Sequence, residues 1–215
     1  MTQRDSVTVL VSGRGSNLKA LIQHQSDYTV GHVVSDKADA GGLLIAKEAG
    51  IPTTVVDRAS FSSLTAFKAG VLDAVKKSDP SVVALAGFMV LLQPDFIQAY
   101  NGRLLNIHPS LLPNFPGLHT HERALEAKST QHGCTVHYVD SGMDTGPLIA
   151  QSAVPVMPRD SHETLSARVL TQEHILYPLI VRGVVQGDIT LEGRTVRYSS
   201  AFVAVAEQLG LTLFA

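Results

Sequence analysis

The chain carries a single cysteine, Cys134, among 215 residues, so no intramolecular disulfide can form. Its neighbours Thr135 and Val136 read as strand, which marks Cys134 as a buried, inert thiol. A chain of this length can bury a sizeable core without covalent staples. Charge of one sign is also lacking. Seventeen Lys and Arg face 19 Asp and Glu, for a net charge of −2. That excludes the basic footprint of a general nucleic-acid binder but leaves room for one small anionic ligand in a local pocket. No apolar run reaches the roughly 18 residues needed to span a bilayer, so no membrane partner is expected. Met1-Thr-Gln-Arg-Asp-Ser6 has no apolar core of a signal peptide, and a cytoplasmic location is the expectation. Repeats and low-complexity segments are absent.

What is present is an alternation of short apolar strands and amphipathic helices. Val7–Ser12, Thr29–Ser35, Thr53–Val56 and Ser81–Ala86 read as strands, separated by helices over 16–25, 41–49 and 61–77. Gly50 closes the second helix, and Phe61, Leu64, Phe67, Val71, Leu72 and Val75 mark the third. Unbroken hydrophobic strands in a β-α-β-α-β-α-β order belong to a mostly parallel sheet with helices on both faces. A helix near Pro94–Tyr100 then leads into a strand over Leu104–Ile107. Gly133–Asp140 and Pro147–Val156 read as an antiparallel pair, and Asp160 or Ser161 caps a helix running to about Val185. The expectation is one α/β domain over 1–215. Its ending is less regular from about 187, with a hairpin around Gly193.

Three segments carry candidate chemistry. Gly13-Arg-Gly-Ser-Asn17 joins the first strand to the first helix, where open α/β sheets bind ligands and helix N-termini attract anions. Gly15 admits close backbone approach, and Ser16 and Asn17 can donate to phosphate oxygens. The alternative is a plain turn with Ser16 as N-cap. Leu18 breaks the dinucleotide fingerprint, and no Gly-Lys-Ser/Thr follows to make a P-loop. The second segment is Asn106-Ile-His-Pro-Ser-Leu-Leu-Pro113. Asn106 and His108 are two residues apart at a strand end, so they share a face. An amide can donate to an oxyanion, and an imidazole can move a proton or donate as well, which acyl transfer requires. The third is Asp140-Ser-Gly-Met-Asp144-Thr-Gly-Pro147. Here Asp144 can orient an imidazole or hold a relay water, or simply form an Asx-turn. Gly142 breaks the alternation an EF-hand needs. His119, His121, His132 and His137 lie in this half of the chain. Their spacing is not that of zinc ligands, and no metal is expected. His119 and His121 are expected on the loop beside His108, and His137 in a supporting role. Gly87-Phe-Met-Val-Leu-Leu92 supplies apolar residues that read first as core and alternatively as a slot for a flat ring.

The Asn-Ile-His-Pro-Ser-Leu-Leu-Pro run resembles the signature of the folate-dependent formyltransferases. The Gly-Arg-Gly-Ser-Asn loop and the total length narrow the likeness to the branch of that family acting on glycinamide ribonucleotide in purine synthesis. The resemblance runs from about Val7 to Pro178. It implies formyl transfer from 10-formyltetrahydrofolate as co-substrate, with Asn106, His108 and Asp144 catalytic. It assigns the ribonucleotide to Gly15, Ser16, Asn17 and Glu173. It assigns the folate to Met89, Val90, Leu91, Leu92, Phe96, Arg103, Leu104, Val139, Asp140 and Asp144. Two positions depart from the family pattern: Val90 and Leu64 stand where arginines are common, so recognition of the folate's glutamate tail is expected to be either weaker or organised differently. Three rivals remain. A formyltetrahydrofolate hydrolase would carry an extra N-terminal module, for which a first strand at residue 7 leaves no room. A methionyl-tRNA formyltransferase would carry a further C-terminal domain. A non-catalytic sugar-phosphate binder would use the glycine loop alone. Either a monomer or a homodimer is compatible with the sequence.

Overall fold

The computed structural model describes residues 5–215. Strands β1 (Ser6–Val11), β2 (Thr29–Ser35), β3 (Thr53–Val55), β4 (Val82–Leu85) and β5 (Leu104–His108) pair in parallel. Beyond β5 the sheet turns antiparallel through β6 (Gln131–Tyr138), β7 (Leu148–Pro155) and, last in sequence, β10 (Thr212–Leu213). The spatial order is β10-β7-β6-β5-β4-β1-β2-β3.

Period-two alternation sorts each central strand between two cores. Val7, Val9 and Val11 of β1, Val82 and Ala84 of β4, and Leu105 and Ile107 of β5 face one side. They meet Leu18 and Leu21 of α1 (Ser16–Gln23) and Leu165, Val169, Leu176 and Ile180 of α6 (His162–Gln186). Leu10, Val83, Leu85 and Leu104 face the other side, against Phe67, Val71 and Val75 of α3 (Leu64–Lys76) and Phe96 of α4 (Pro94–Ala99). Between them α2 (Gly41–Glu48) connects β2 to β3. By the same alternation Asn106 and His108 lie on the α3–α4 side, with Leu104. The Tyr177 hydroxyl pins α6 across the sheet, 2.9 Å from the Leu85 carbonyl and 3.2 Å from that of Leu105.

Three local expectations shift. The third helix begins at Leu64 rather than Phe61, because the Ser63 hydroxyl accepts from the Ala66 N–H at 3.0 Å and fixes the cap there. Phe61 stays extended and sets its ring edge-on to Phe67, centroids 5.9 Å apart. A short helix, α5 (Thr120–Glu126), follows the loop after β5 and takes in His121, a residue expected on that loop. The segment from about 187 is regular. The hairpin β8 (Ile189–Glu192) and β9 (Thr195–Tyr198) turns at Gly193, and α7 (Ser200–Gln208) then delivers β10 to β7. Ile189, Val196 and Phe202 join the main core, which is the physical reason this ending is ordered. No helix among the described residues is long and apolar enough to cross a membrane.

Candidate active site

β1 has β2 on one flank and β4 on the other, so the loops after β1 and β4 open a crevice at the strand carboxyl ends. The two loops are tied together. Ser12 N–H donates to the Gly87 carbonyl at 3.2 Å, and Met89 N–H donates to the Ser12 hydroxyl at 2.9 Å. Gly15 holds the cap position of α1 in the left-handed region, φ 79°. Ser16 is therefore the first helical residue, and its hydroxyl caps nothing. The first intrahelical donor is Lys19 N–H, to Gly15 O at 2.9 Å, so the amides of Ser16, Asn17 and Leu18 point out of the helix end. That is an anion cradle by geometry.

The two glycines of the loop have different reasons to be glycine. A Cβ on Gly15 would lie 2.5 Å from Gly42 Cα of α2, so its need is internal packing as well as backbone conformation. A Cβ on Gly13 would meet no protein atom within 4 Å. Packing against α2 thus accounts for glycine at position 15, and no such contact accounts for glycine at position 13.

Glu173 of α6 reaches the same corner. Its buried carboxylate accepts from Asn17 Nδ2 at 2.7 Å, joining residues 156 apart in sequence. Burial pushes this carboxyl above the ordinary carboxylate range, and the Asn17 hydrogen bond works against that shift.

The second group lies around the end of β5. Asn106 pairs directly with His137 in the β5–β6 register, and the two side chains meet at 3.1 Å between Nδ2 and Nε2. His137 Nδ1 lies 2.8 Å from the Tyr138 carbonyl, which can only accept. The proton therefore sits on Nδ1, and Nε2 accepts from Asn106. Burial lowers the His137 pKa, in keeping with a neutral ring. Asp144 closes the figure: one oxygen is 3.4 Å from His108 Nδ1 and the other 3.7 Å from His137 Nε2. Gly117 N–H donates to Asp144 Oδ2 at 2.8 Å. His108 Nε2 donates to the Phe115 carbonyl at 3.0 Å. Asn106 and His137 are thus hydrogen-bonded to each other, and the Asp144 carboxylate lies beside both His137 and His108, so that β5, β6 and two loops bring the four side chains to one place. Asn106 keeps one Nδ2 hydrogen for a further acceptor.

The loops are held in uncommon backbone geometry. Phe115, His119 and Asp144 have φ of 54°, 58° and 55°, in the left-handed region that non-glycine residues seldom occupy. Arg123 of α5 braces one loop, donating to the Pro116 and Leu118 carbonyls and lying over the Phe115 ring. Asp140 braces the other, accepting from Gly142 N–H at 3.1 Å and the Thr145 hydroxyl at 2.7 Å. Burial acts to raise the Asp140 pKa, but bonds from Thr145, Arg194 and Gly142 hold it below the usual value.

The expected apolar slot gathers in part. Val90, Leu92 and Val139 are partly buried and pack against the α3–α4 core, in which Phe96 and Leu104 are fully buried. Met89 and Leu91 are exposed, as is Leu64 at the start of α3. Arg103 is not brought to this group. Its guanidinium donates to the Pro80 and Ala99 carbonyls and stacks over Tyr100, and it lines a separate recess with Ser81 and Val184. A basic residue beside a predicted pocket strand carried no signal of which way its side chain would turn.

The remaining histidines divide. His119 is exposed and pairs only with Glu122, at 3.6 Å. His121 meets His132 at 3.1 Å and stacks edge-on to His162. Burial first, then the neighbouring imidazoles, pushes His132 down to about 4. No grouping of three or more His, Cys, Asp or Glu suited to a metal ion occurs among the described residues. Sequence reading missed the bridging part of His137, the Gly117 N–H and the Phe115 carbonyl. The last two are backbone groups, which leave no mark on residue type.

Residues 5–181 match the family described as formyl transferase. The chain is 46% identical over 190 residues to phosphoribosylglycinamide formyltransferase of Escherichia coli, covering 86% of this chain and 90% of that one. It is 43% identical over 189 residues to the human trifunctional purine biosynthetic protein adenosine-3, covering 86% of this chain and 19% of that protein. The solved phosphoribosylglycinamide formyltransferase of Coxiella burnetii superposes with a TM-score of 0.86 at 42% identity, covering 90% and 92% of the two chains. Glycinamide ribonucleotide transformylase 1 of Symbiobacterium toebii gives 0.87 at 41%, covering 92% and 95%.

Proposed function

The chain belongs to the formyl transferase family, and on that premise we infer that it moves a formyl group from 10-formyltetrahydrofolate to the amine of glycinamide ribonucleotide, a step of purine biosynthesis. The observation that carries this reading is the cluster of Asn106, His108, His137 and Asp144 on the same sheet as an anion cradle at Gly13–Leu18. A phosphate at the amides of Ser16, Asn17 and Leu18 anchors the ribonucleotide. Glu173, fixed by Asn17, accepts from hydroxyl or amine groups of that substrate. The partly buried Val90, Leu92 and Val139, with Asp140, flank the folate ring.

The reaction follows from the donors present. The substrate amine attacks the formyl carbon, and the carbonyl pair moves onto oxygen. The free Nδ2 hydrogen of Asn106 donates to that oxyanion. His108 contributes a second donor once its Nε2–H turns from the Phe115 carbonyl to the substrate. When protonated, His108 donates its Nδ1–H in a hydrogen bond to Asp144, which stays ionised and orients the ring as the carboxylate of a catalytic triad does. The oxyanion then collapses, the C–N bond to the folate breaks, and the proton lost by the amine ends on the leaving nitrogen. His137 stays neutral and holds Asn106 in line.

The test is direct. Protein mixed with both substrates should yield tetrahydrofolate and formylated ribonucleotide in equal amounts. Tetrahydrofolate and formate without the ribonucleotide would indicate a hydrolase instead. Binding of the ribonucleotide with no turnover would indicate a sugar-phosphate binder.

A further inference from the structure

The match to the family ends at residue 181, yet a side chain beyond that point reaches back into the site. Arg194 sits at the tip of the β8–β9 hairpin, next to Gly193. Its Nη1 donates to Asp140 Oδ2 and its Nη2 to the Thr145 carbonyl, each at 3.0 Å. Asp140 and Thr145 are the two ends of the short loop that carries Asp144. One guanidinium therefore grips both ends, while Asp140 Oδ1 spans the inside through Gly142 and Thr145.

The hairpin makes a firm platform for such a grip. Ile189 and Val196 are buried in the main core. The Tyr198 hydroxyl lies 2.6 Å from both the Ile149 and the Phe214 carbonyls, which fixes β9 against β7 and the chain after β10. The loop, by contrast, needs holding, because Asp144 rests at φ 55°. Arg194 itself is largely exposed, 69% for the side chain. An exposed ion pair adds little to global stability. What a planar, two-pronged donor supplies here is geometry.

We propose that Arg194 is a positioning residue, holding the Asp140–Thr145 loop so that Asp144 stays in register with His108 and His137; the proposal rests on the catalytic reading of that group. Lysine cannot satisfy both acceptors from one rigid fork, so the arginine is specific.

The experiment compares wild type, R194A and R194K. R194A should lower kcat for formyl transfer by about tenfold to a hundredfold, the scale of a displaced catalytic group. R194K should recover part of that. The ribonucleotide KM should not change, since the anion cradle is not touched. The melting temperature should stay within about 2 °C. Amide hydrogen exchange over 139–146 should quicken in R194A, with exchange over 13–20 unchanged. In a D144N background R194A should add no further loss. Unchanged exchange in the loop overturns the grip, and quicker exchange with full kcat overturns its catalytic meaning. Additive loss in D144N shows that Arg194 does not act through Asp144. Exchange needs no turnover, so a wild type without formyl transfer would defeat the functional reading and leave the grip to be judged separately.

Discussion

The two ends of the site are built on different principles. The phosphate end is local and mostly backbone: one turn, three outward amides and the buried pair Asn17–Glu173. The reacting end is assembled from β5, β6 and two loops, and its partners are side chains held by residues in left-handed geometry. An anchor needs only to bind, and backbone amides serve at any pH. A group that moves charge must change hydrogen-bond partners, and side chains at the rims of loops can do so. The comparison predicts that damage at the reacting end appears in kcat and damage at the phosphate end in KM.

The strongest way to break that division is to remove the donors. His108→Ala and Asn106→Ala should each lower kcat by roughly 10²–10⁴, the range for a lost acid–base group or oxyanion donor. The ribonucleotide KM should stay within a few-fold, because neither side chain touches the cradle. Steady-state kinetics with both substrates decide it. A variant whose kcat holds while its KM climbs would move that residue to the anchoring side.

The ends also differ in the sign of their pH response. Near the reacting end His121, His132 and His137 all have lowered pKa values, with His132 at about 4. Unfolded histidine titrates near 6.5. On acidification the unfolded chain therefore takes up protons first. The stability these rings contribute is fully present above about pH 6.5 and is lost as pH falls through each folded value, which for His132 is about 4. For His132 the whole window is worth about 3 kcal/mol at 1.36 kcal/mol per unit. Glu173 has the opposite sign. Its raised carboxyl favours the fold at low pH and loses that contribution as pH rises through its folded value. Urea unfolding at pH 7.5 and pH 5 should show less stability in acid, and His132→Asn should flatten that difference. An equal pH slope in the variant would remove His132 from the account.

How far the sequence exposes each end follows from the same contrast. The parallel strands and the helices on both faces are written in contiguous apolar patterns, which the two cores preserve. The glycine loop is equally contiguous. Asn106 and His108 are legible because a strand places alternate residues together. His137 is not, because its contact depends on the register Asn106↔His137 across two strands. Asp144 in its loop reads either as a partner for an imidazole or water or as an Asx-turn, and the likeness to a family favours the first. Phe61 misled the helix boundary by having the right spacing on the wrong side of a better cap at Ser63. The likeness assigned Arg103 to the folate, whereas its side chain turns to the Pro80 and Ala99 carbonyls, a direction that residue type does not encode.

Smaller effects sharpen the phosphate end. Gly15→Ala forces a side chain into φ 79° and sets its Cβ 2.5 Å from Gly42 Cα. The left-handed geometry alone costs about 1–2 kcal/mol, and displacement of α2 adds to it. Denaturant midpoints should fall, and kcat should fall only in proportion to the folded fraction. A fully stable Gly15→Ala with weakened ribonucleotide binding would return the close approach to Gly15.

Gly13→Ala is the matched control, two residues away with the opposite expectation. Its φ is not in the left-handed region, and its Cβ would meet no protein atom within 4 Å. Replacing glycine by alanine at a compatible position narrows the unfolded ensemble and stabilises by about 0.4–1 kcal/mol. The fold should therefore tolerate the change or gain slightly from it. The anion should not: a methyl at the lip of the cradle lengthens the approach to the amides of Ser16 and Asn17. An affinity loss of about tenfold, or 1.4 kcal/mol, is expected for the ribonucleotide, with folate affinity unchanged. Calorimetric titration of each ligand, beside urea unfolding of the same preparation, measures both halves. Loss of both affinities together would mean that the loop supports the whole crevice. No loss of either would mean that the phosphate meets the helix end without passing Gly13.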